Sequence, residues 1–453
     1  MTPEIKTSPA ASGPDSKPQL LRALGLWQAT AIVMGIMIGS AIFIVPAEIT
    51  REVGTSRAGL AVWIVTGILS LFGALSFAEL AAMMPQAGGQ YVYLREAYGP
   101  LVSFLCGWMF FLVQQSGGIA TLAVGLTQYL SKFFPFSLWQ QRLAAAMIII
   151  VLTAINYRGV REGGWVQSVL TGMNVGIVVS LIALGYLLVH GSAGGPHTLP
   201  VPEGTRYWAS FGVAMVAALW AYEGWNNVTF AAGEVKRPER NLPLALIIGT
   251  GAVILIYAGL NMVYYHVLTL PEIVQSQRVG SDAAAKIFGP SGSQLVALAI
   301  IISVFGSTNG SILSGARVYY AMAEDKLFFR WCAAVHPRFR TPYLALVVQG
   351  VWSVFLVLLA GYEELFTYTI FAGWIFYALT AFGVIVLRRK LPDLPRPYRV
   401  IGYPWVPIIF VLTAAVFVLN LLREKPVEAG YGALIIALGI PVYYIWKRKS
   451  SVA

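Results

Sequence analysis

Two short stretches of this chain carry residue types that could hold a small charged solute with no catalytic side chain. The first is Gly35-Ile36-Met37-Ile38-Gly39-Ser40-Ala41-Ile42-Phe43, inside an apolar run from Trp27 to Val45. Two glycines and a serine weaken a helix there. Unpaired N–H and C=O groups are too costly to face lipid and are tolerated only where they line a cavity or touch a ligand. A helix broken at mid-membrane depth therefore points to a polar solute held by main chain. An unbroken helix with glycine-packed neighbours is the competing reading. The second stretch, Ala217 to Asn227, sets Glu223, Gly224, Asn226 and Asn227 in another apolar run. Ionisable residues at membrane depth are expensive and default to function; a polar contact between packed helices is the alternative.

The two breaks suit opposite charges. A half-helix starting after Ser40 presents free N–H groups and a positive dipole end to a carboxylate. A half-helix ending near Ala221 presents free C=O groups to an ammonium. An α-amino acid carries both groups, as do other zwitterions. Glu223 could pair with a cationic side chain, accept a proton, or hydrogen-bond Asn226. Enzymatic chemistry finds no foothold: the chain has no Walker-type loop, no His-Glu-x-x-His, no clustered acids and no spacing that suggests a metal. No cofactor is expected, and coupling to a proton or to sodium stays open.

The elements that must position these stretches are membrane-spanning. Of 453 residues, 57% are apolar and 11% charged, against about 25% charged in soluble domains; mean hydropathy is +0.70. A span needs roughly 20 apolar residues. Twelve runs qualify: 26–48, 58–84, 98–131, 142–156, 165–190, 207–232, 243–269, 291–322, 342–360, 364–387, 403–422 and 430–446. The expected class is an all-α integral membrane protein. No loop is long enough to fold alone. An even number of spans puts both termini on one side. The basic clusters Lys236, Arg237 and Arg240; Lys326, Arg330, Arg338 and Arg340; Arg388 to Lys390 with Arg396 and Arg399; and Lys447 to Lys449 share that side. The positive-inside rule makes it cytoplasmic. The net charge of +11 is thus accounted for by topology, with no nucleic-acid partner. The polar, Pro- and Ser-rich tail 1–24 is expected to be disordered.

Four stretches resemble the L-type amino acid transporters of the amino acid–polyamine–organocation superfamily, over essentially residues 24–446. They are GIMIGSAIF at 35–43, FAELAAMMPQAGGQYVYLREAYG at 77–99, WAYEGWNNVTFAAGEVKRPERNLPLALI at 220–247, and the pair HPRFRTP at 336–342 and LPDLPRPYRV at 391–400. The resemblance implies a five-plus-five inverted repeat with broken helices 1 and 6. Its halves would be 25–190 and 207–387, with peripheral helices over 403–446 and a cytoplasmic tail at 447–453. It implies secondary transport of L-amino acids, neutral ones first, across the plasma membrane, by exchange or symport. A cationic amino acid or polyamine carrier using Glu223 is the alternative.

By the same resemblance Ile38, Gly39, Ser40 and Ala41 would receive the carboxylate. Trp220, Ala221 and Tyr222 would receive the ammonium, with Glu223 and Gly224 beside them. Trp220 would be an aromatic gate and Trp374 would line the side-chain pocket, an interfacial anchor being the other reading of each tryptophan. Three departures stand out. Ala41 replaces a family glycine. Asn174 stands where the family commonly has a lysine that replaces a sodium ion. The loop Ser131 to Gln141 lacks the cysteine that joins animal members to a heavy chain, so no disulfide-linked partner is expected. Without that lysine, the carbonyls of the first break need another partner. Either sodium binds near Ser303, Gly306 and Ser307, whose i, i+3, i+4 spacing shares one helix face, or the Asn174 amide donates directly.

Overall fold

The computed structural model describes residues 18–451 except 132, 192–197, 202–203, 290, 360–361 and 425. Among the described residues the chain is helical, with one isolated backbone bridge between Leu24 and Val235. Its helices in order are α1 (Leu26–Met37), α2 (Pro46–Val53), α3 (Ser56–Met83), α4 (Gln90–Tyr98), α5 (Pro100–Met109), α6 (Gln115–Leu130), α7 (Leu138–Arg158), α8 (Val160–Leu188), α9 (Thr205–Ala221), α10 (Asn227–Phe230), α11 (Pro238–Val267), α12 (Leu270–Gln275), α13 (Val279–Phe288), α14 (Gly292–Glu324), α15 (Tyr343–Leu359), α16 (Tyr362–Lys390), α17 (Trp405–Glu424) and α18 (Pro426–Ser451).

Among the described residues, eight helical stretches are long and apolar enough to cross a membrane, and Leu26–Met37 and Tyr343–Leu359 are shorter apolar helices. Four of the twelve expected runs are not among the eight: 342–360 gives the shorter Tyr343–Leu359, 364–387 lies within α16, and the absence of the other two has a physical source. Runs 26–48 and 207–232 are each split into two pieces, so neither is one long helix. The outer surface fits lipid contact. Leu255, Val351 and Leu412 lie mid-helix and are well exposed, which water would penalise. Trp27, Trp208 and Trp405 sit exposed at helix ends, where indole favours a membrane interface.

Two buried acids away from the helix breaks are paired with arginines. Arg317 donates to Glu234 through Nε at 2.6 Å and Nη2 at 3.0 Å, with both side chains fully buried. Glu79 accepts from Arg388 Nε at 2.9 Å, Arg388 Nη2 at 2.7 Å and the Val400 N–H at 2.7 Å. Breaking such a pair strands a buried charge. Glu79, Glu234 and the 391–400 segment belong to the stretches that carried the resemblance, and here they lock helix ends rather than meet a solute.

The terminal tails are described only in part. Residues 1–17, most of the tail expected to be disordered, lie outside the described residues. Leu24 is ordered: its N–H donates to the Glu234 carbonyl at 3.0 Å, and its carbonyl accepts from the Lys236 N–H at 2.8 Å. At the other end α18 continues to Ser451, so 447–451 extend a helix instead of forming a separate tail.

Candidate functional site

The first break follows from where its backbone groups find partners. Helix α1 ends at Met37, a three-residue 3₁₀ turn covers Ala41–Phe43, and α2 begins at Pro46, whose fixed φ suits a first helical position. The Ile38 N–H donates to Met34 O at 2.8 Å and the Gly39 N–H to Met37 O at 2.9 Å. The amides of Ser40, Ala41 and Ile42 have no backbone acceptor among the described residues. The free donors are therefore 40–42 and not 38–41. Ile38 is fully buried and contributes a carbonyl instead.

The second break lies between α9 and α10. Gly224 adopts φ +113°, and a Cβ there would stand 2.5 Å from Ile36 Cγ2. Only glycine combines that conformation with so close an approach. The two breaks touch at this point. They also share Tyr257 of α11, whose hydroxyl lies 2.7 Å from Met37 O and 3.1 Å from Ala221 O. One buried phenol thus ties together the carbonyl ends of both half-helices.

A cavity of about 340 Å³ opens against both breaks. Of the residues expected at the site, Gly39, Ser40, Ala41, Trp220, Ala221, Glu223 and Gly224 line it. Tyr222 does not: its ring is buried edge-on to Trp63 at 5.9 Å, leaving only its backbone near the site. Trp374 does not either. It is stacked on Phe417 of α17 at 4.6 Å, because its face of α16 turns to α17. That corrects its expected place in the pocket wall, and it is not an interfacial anchor, being only 4% exposed.

The polar wall comes from residues that the sequence reading passed over. A π-helical turn at Phe110–Gln114 precedes α6, and such widened turns recur at functional sites. It lets consecutive Gln114 and Gln115 both face the cavity. The Gln115 amide donates to Asn227 Oδ1 at 3.1 Å and Ser311 O at 3.0 Å. Tyr377 donates to Glu223 Oε1 at 3.2 Å. Two adjacent glutamines in an apolar run were a usable signal. Tyr257 and Tyr377 had none, since nothing in a sequence separates a lipid-facing tyrosine from one turned inward.

Behind the first break, Asn174 of α8 donates through Nδ2 to Ile38 O at 3.2 Å and Ser303 Oγ at 2.9 Å. The Ser303 hydroxyl in turn donates to Ile38 O. The Ser307 hydroxyl donates to Gly35 O at 2.8 Å. Gly306 is a packing position, where a Cβ would lie 3.3 Å from Leu170 Cβ. Asn174, Ser303 and Ser307 hold the carbonyls of the break and do not line the cavity.

The amino acid permease model matches residues 24–445. The chain belongs to the amino acid permease family. It is 34% identical to the serine/threonine exchanger SteT of Bacillus subtilis, over 95% of this chain and 98% of that protein. It is 31% identical to human b(0,+)-type amino acid transporter 1, over 95% of this chain and 91% of that one. It is 30% identical to human large neutral amino acids transporter small subunit 2, over 98% and 85%. This permease is accordingly a multi-pass membrane transporter of amino acids and not an enzyme. The L-type resemblance read from the four motifs stands.

Gly39 gives a direct test of the site. A methyl added there would meet no atom within 4 Å and would stand in the cavity beside the free amides. Gly39→Ala is expected to leave expression and thermal stability unchanged while raising KM at least tenfold, since a methyl-sized misfit is worth about 1–3 kcal/mol. Unchanged KM would move the substrate away from this break.

Proposed function

We propose that this permease exchanges neutral L-amino acids across the plasma membrane by alternating access. The observation that carries the reading is that one cavity is lined both by Ser40 and Ala41, whose amides have no backbone acceptor among the described residues, and by the α9 carbonyl end at Trp220 and Ala221. Both charge preferences of an amino acid backbone are thus offered to a single cavity. The exposed lining residues Gln128 and Gln277 mark one mouth of the cavity, which supports an arrangement open to the outside. The two helix breaks, each opening one half of the chain, support a five-plus-five inverted repeat. In that reading α1–α2 and α9–α10 count as broken spans, twelve spans result, and both termini are cytoplasmic. Neither Cys106 nor Cys332 lies in the 131–141 loop, and both are buried, which supports operation without a disulfide-linked partner.

The test is uptake into proteoliposomes. Trapped internal neutral amino acid is expected to accelerate uptake of labelled neutral amino acid severalfold. Equal rates from empty vesicles would rule out obligatory exchange. Glu223 favours a second reading, because it faces the cavity with a carboxylate that only Tyr377 approaches among the described residues. A cationic amino acid or polyamine would then be the preferred solute, and preferential uptake of arginine or a diamine in the same vesicles would select it.

A further inference from the structure

Only two of the residues lining the cavity are formally charged, and they stand at opposite ends. Glu223 is on the floor between the breaks. Arg278 is at the mouth, in the connection between α12 and α13, beside the exposed Gln128 and Gln277. The Arg278 backbone is anchored: its N–H donates to Ser276 Oγ at 3.0 Å, and its carbonyl accepts from the Ser281 N–H at 2.9 Å. Its guanidinium lies over the ring of Tyr129, 5.5 Å from the centroid. That ring also lines the cavity and holds the cation by its face. No carboxylate pairs with this guanidinium among the described residues. The nearest acid in sequence, Asp282, accepts from Ser276 Oγ instead. Arg278 is thus a positioned cation with open donors, half-buried at the way in to a cavity otherwise neutral above its floor.

We propose that Arg278 is a specificity-determining residue that captures the substrate carboxylate at the mouth and screens solutes by net charge before they reach the breaks. The proposal rests on the amino acid reading of the cavity. A charged group at a constricted, partly dry opening concentrates the opposite sign and speeds its arrival. A zwitterion presents its carboxylate to Arg278 and passes on to the Ser40–Ile42 amides. A solute with net positive charge meets repulsion first, although Glu223 below would attract it. The mouth and the floor therefore pull selectivity in opposite directions.

The experiment measures uptake by proteoliposomes of wild type, Arg278→Gln and Arg278→Lys, with serine and arginine as probes, at low and physiological ionic strength. In Arg278→Gln, KM for serine is expected to rise about three- to tenfold with kcat little changed. The ratio of arginine to serine uptake should rise. Serine KM in the wild type should climb with salt, because the Debye length shortens from about 30 Å at 0.01 M to about 8 Å at 0.15 M; in Arg278→Gln it should not. Arg278→Lys keeps the charge and should keep the salt dependence. Unchanged serine KM and unchanged charge preference in Arg278→Gln overturn the proposal. So does a salt-independent wild-type KM, which needs no variant to fold. Wild-type protein that transports neither probe fails at the earlier step, the amino acid reading itself.

Discussion

An amine made by removing the carboxylate from a transported amino acid will not compete for uptake, even in large excess. The reason lies in the amides of Ser40, Ala41 and Ile42, which have no backbone partner. Facing a carboxylate, they make charge-assisted hydrogen bonds, the stronger kind. Facing a decarboxylated analogue, they stay buried and unsatisfied, at roughly 1–3 kcal/mol each. Two such losses come to about 2–6 kcal/mol, roughly thirtyfold to ten-thousandfold in affinity at 1.4 kcal/mol per factor of ten. The complementary analogue, a carboxylic acid without the amine, should lose less. The carbonyls it leaves exposed have a hydroxyl nearby: Tyr257 Oη lies 3.1 Å from Ala221 O. Competition assays with matched amine and acid analogues would check both. An amine that competes as well as its parent amino acid would remove the carboxylate from the first break.

Much of this site was legible before any coordinates because membranes impose a simple rule. Polar backbone in an apolar run must be used for something, so Gly39-Ser40 and Glu223-Gly224 could be picked out by residue type alone. The register within the break could not. Whether 38–41 or 40–42 keeps free amides depends on how α1 ends, and the Gly39 N–H turning back to Met37 O decides it. The direction of a side chain on a long helix was equally hidden. Trp374 lies well inside an apolar run, yet it packs on Phe417. Tyr377, one turn later on the same helix, reaches Glu223. Residues three apart share a helix face only broadly, and contact with α17 claimed one of them. The motif acids Glu79 and Glu234 show the same limit. They lay unremarked within the stretches that carried the resemblance, and only their partners, Arg388 and Arg317, give them a structural role.

Transport by this permease is expected to be indifferent to sodium, and Asn174 is the reason. A sodium ion at the back of the first break would need the oxygens of Gly35, Ile38, Ser303 and Ser307 turned inward as ligands. Those oxygens are already engaged with one another. The Ser307 hydroxyl donates to Gly35 O at 2.8 Å, the Ser303 hydroxyl donates to Ile38 O, and Asn174 Nδ2 adds a donor to both Ile38 O and Ser303 Oγ. Binding a cation would require reversing two hydroxyls and expelling an amide, with the desolvation of the ion still to be met. The amide therefore does the propping that a positive charge would otherwise do, with neutral hydrogen bonds in place of an ion. Replacing sodium by potassium or choline should leave uptake unchanged. Asn174→Ala should raise KM roughly tenfold or more, since it removes the donor that ties α8 to both Ile38 O and Ser303 Oγ and leaves Ile38 O held by the Ser303 hydroxyl of α14 alone. Asn174→Asp is the sharper variant, because it keeps the size, removes both amide donors and points a carboxylate at a carbonyl; it should lose uptake under every cation. Strong sodium dependence in the wild type, abolished by Ser307→Ala, would show that the hydroxyls bind an ion and that Asn174 only packs beside it.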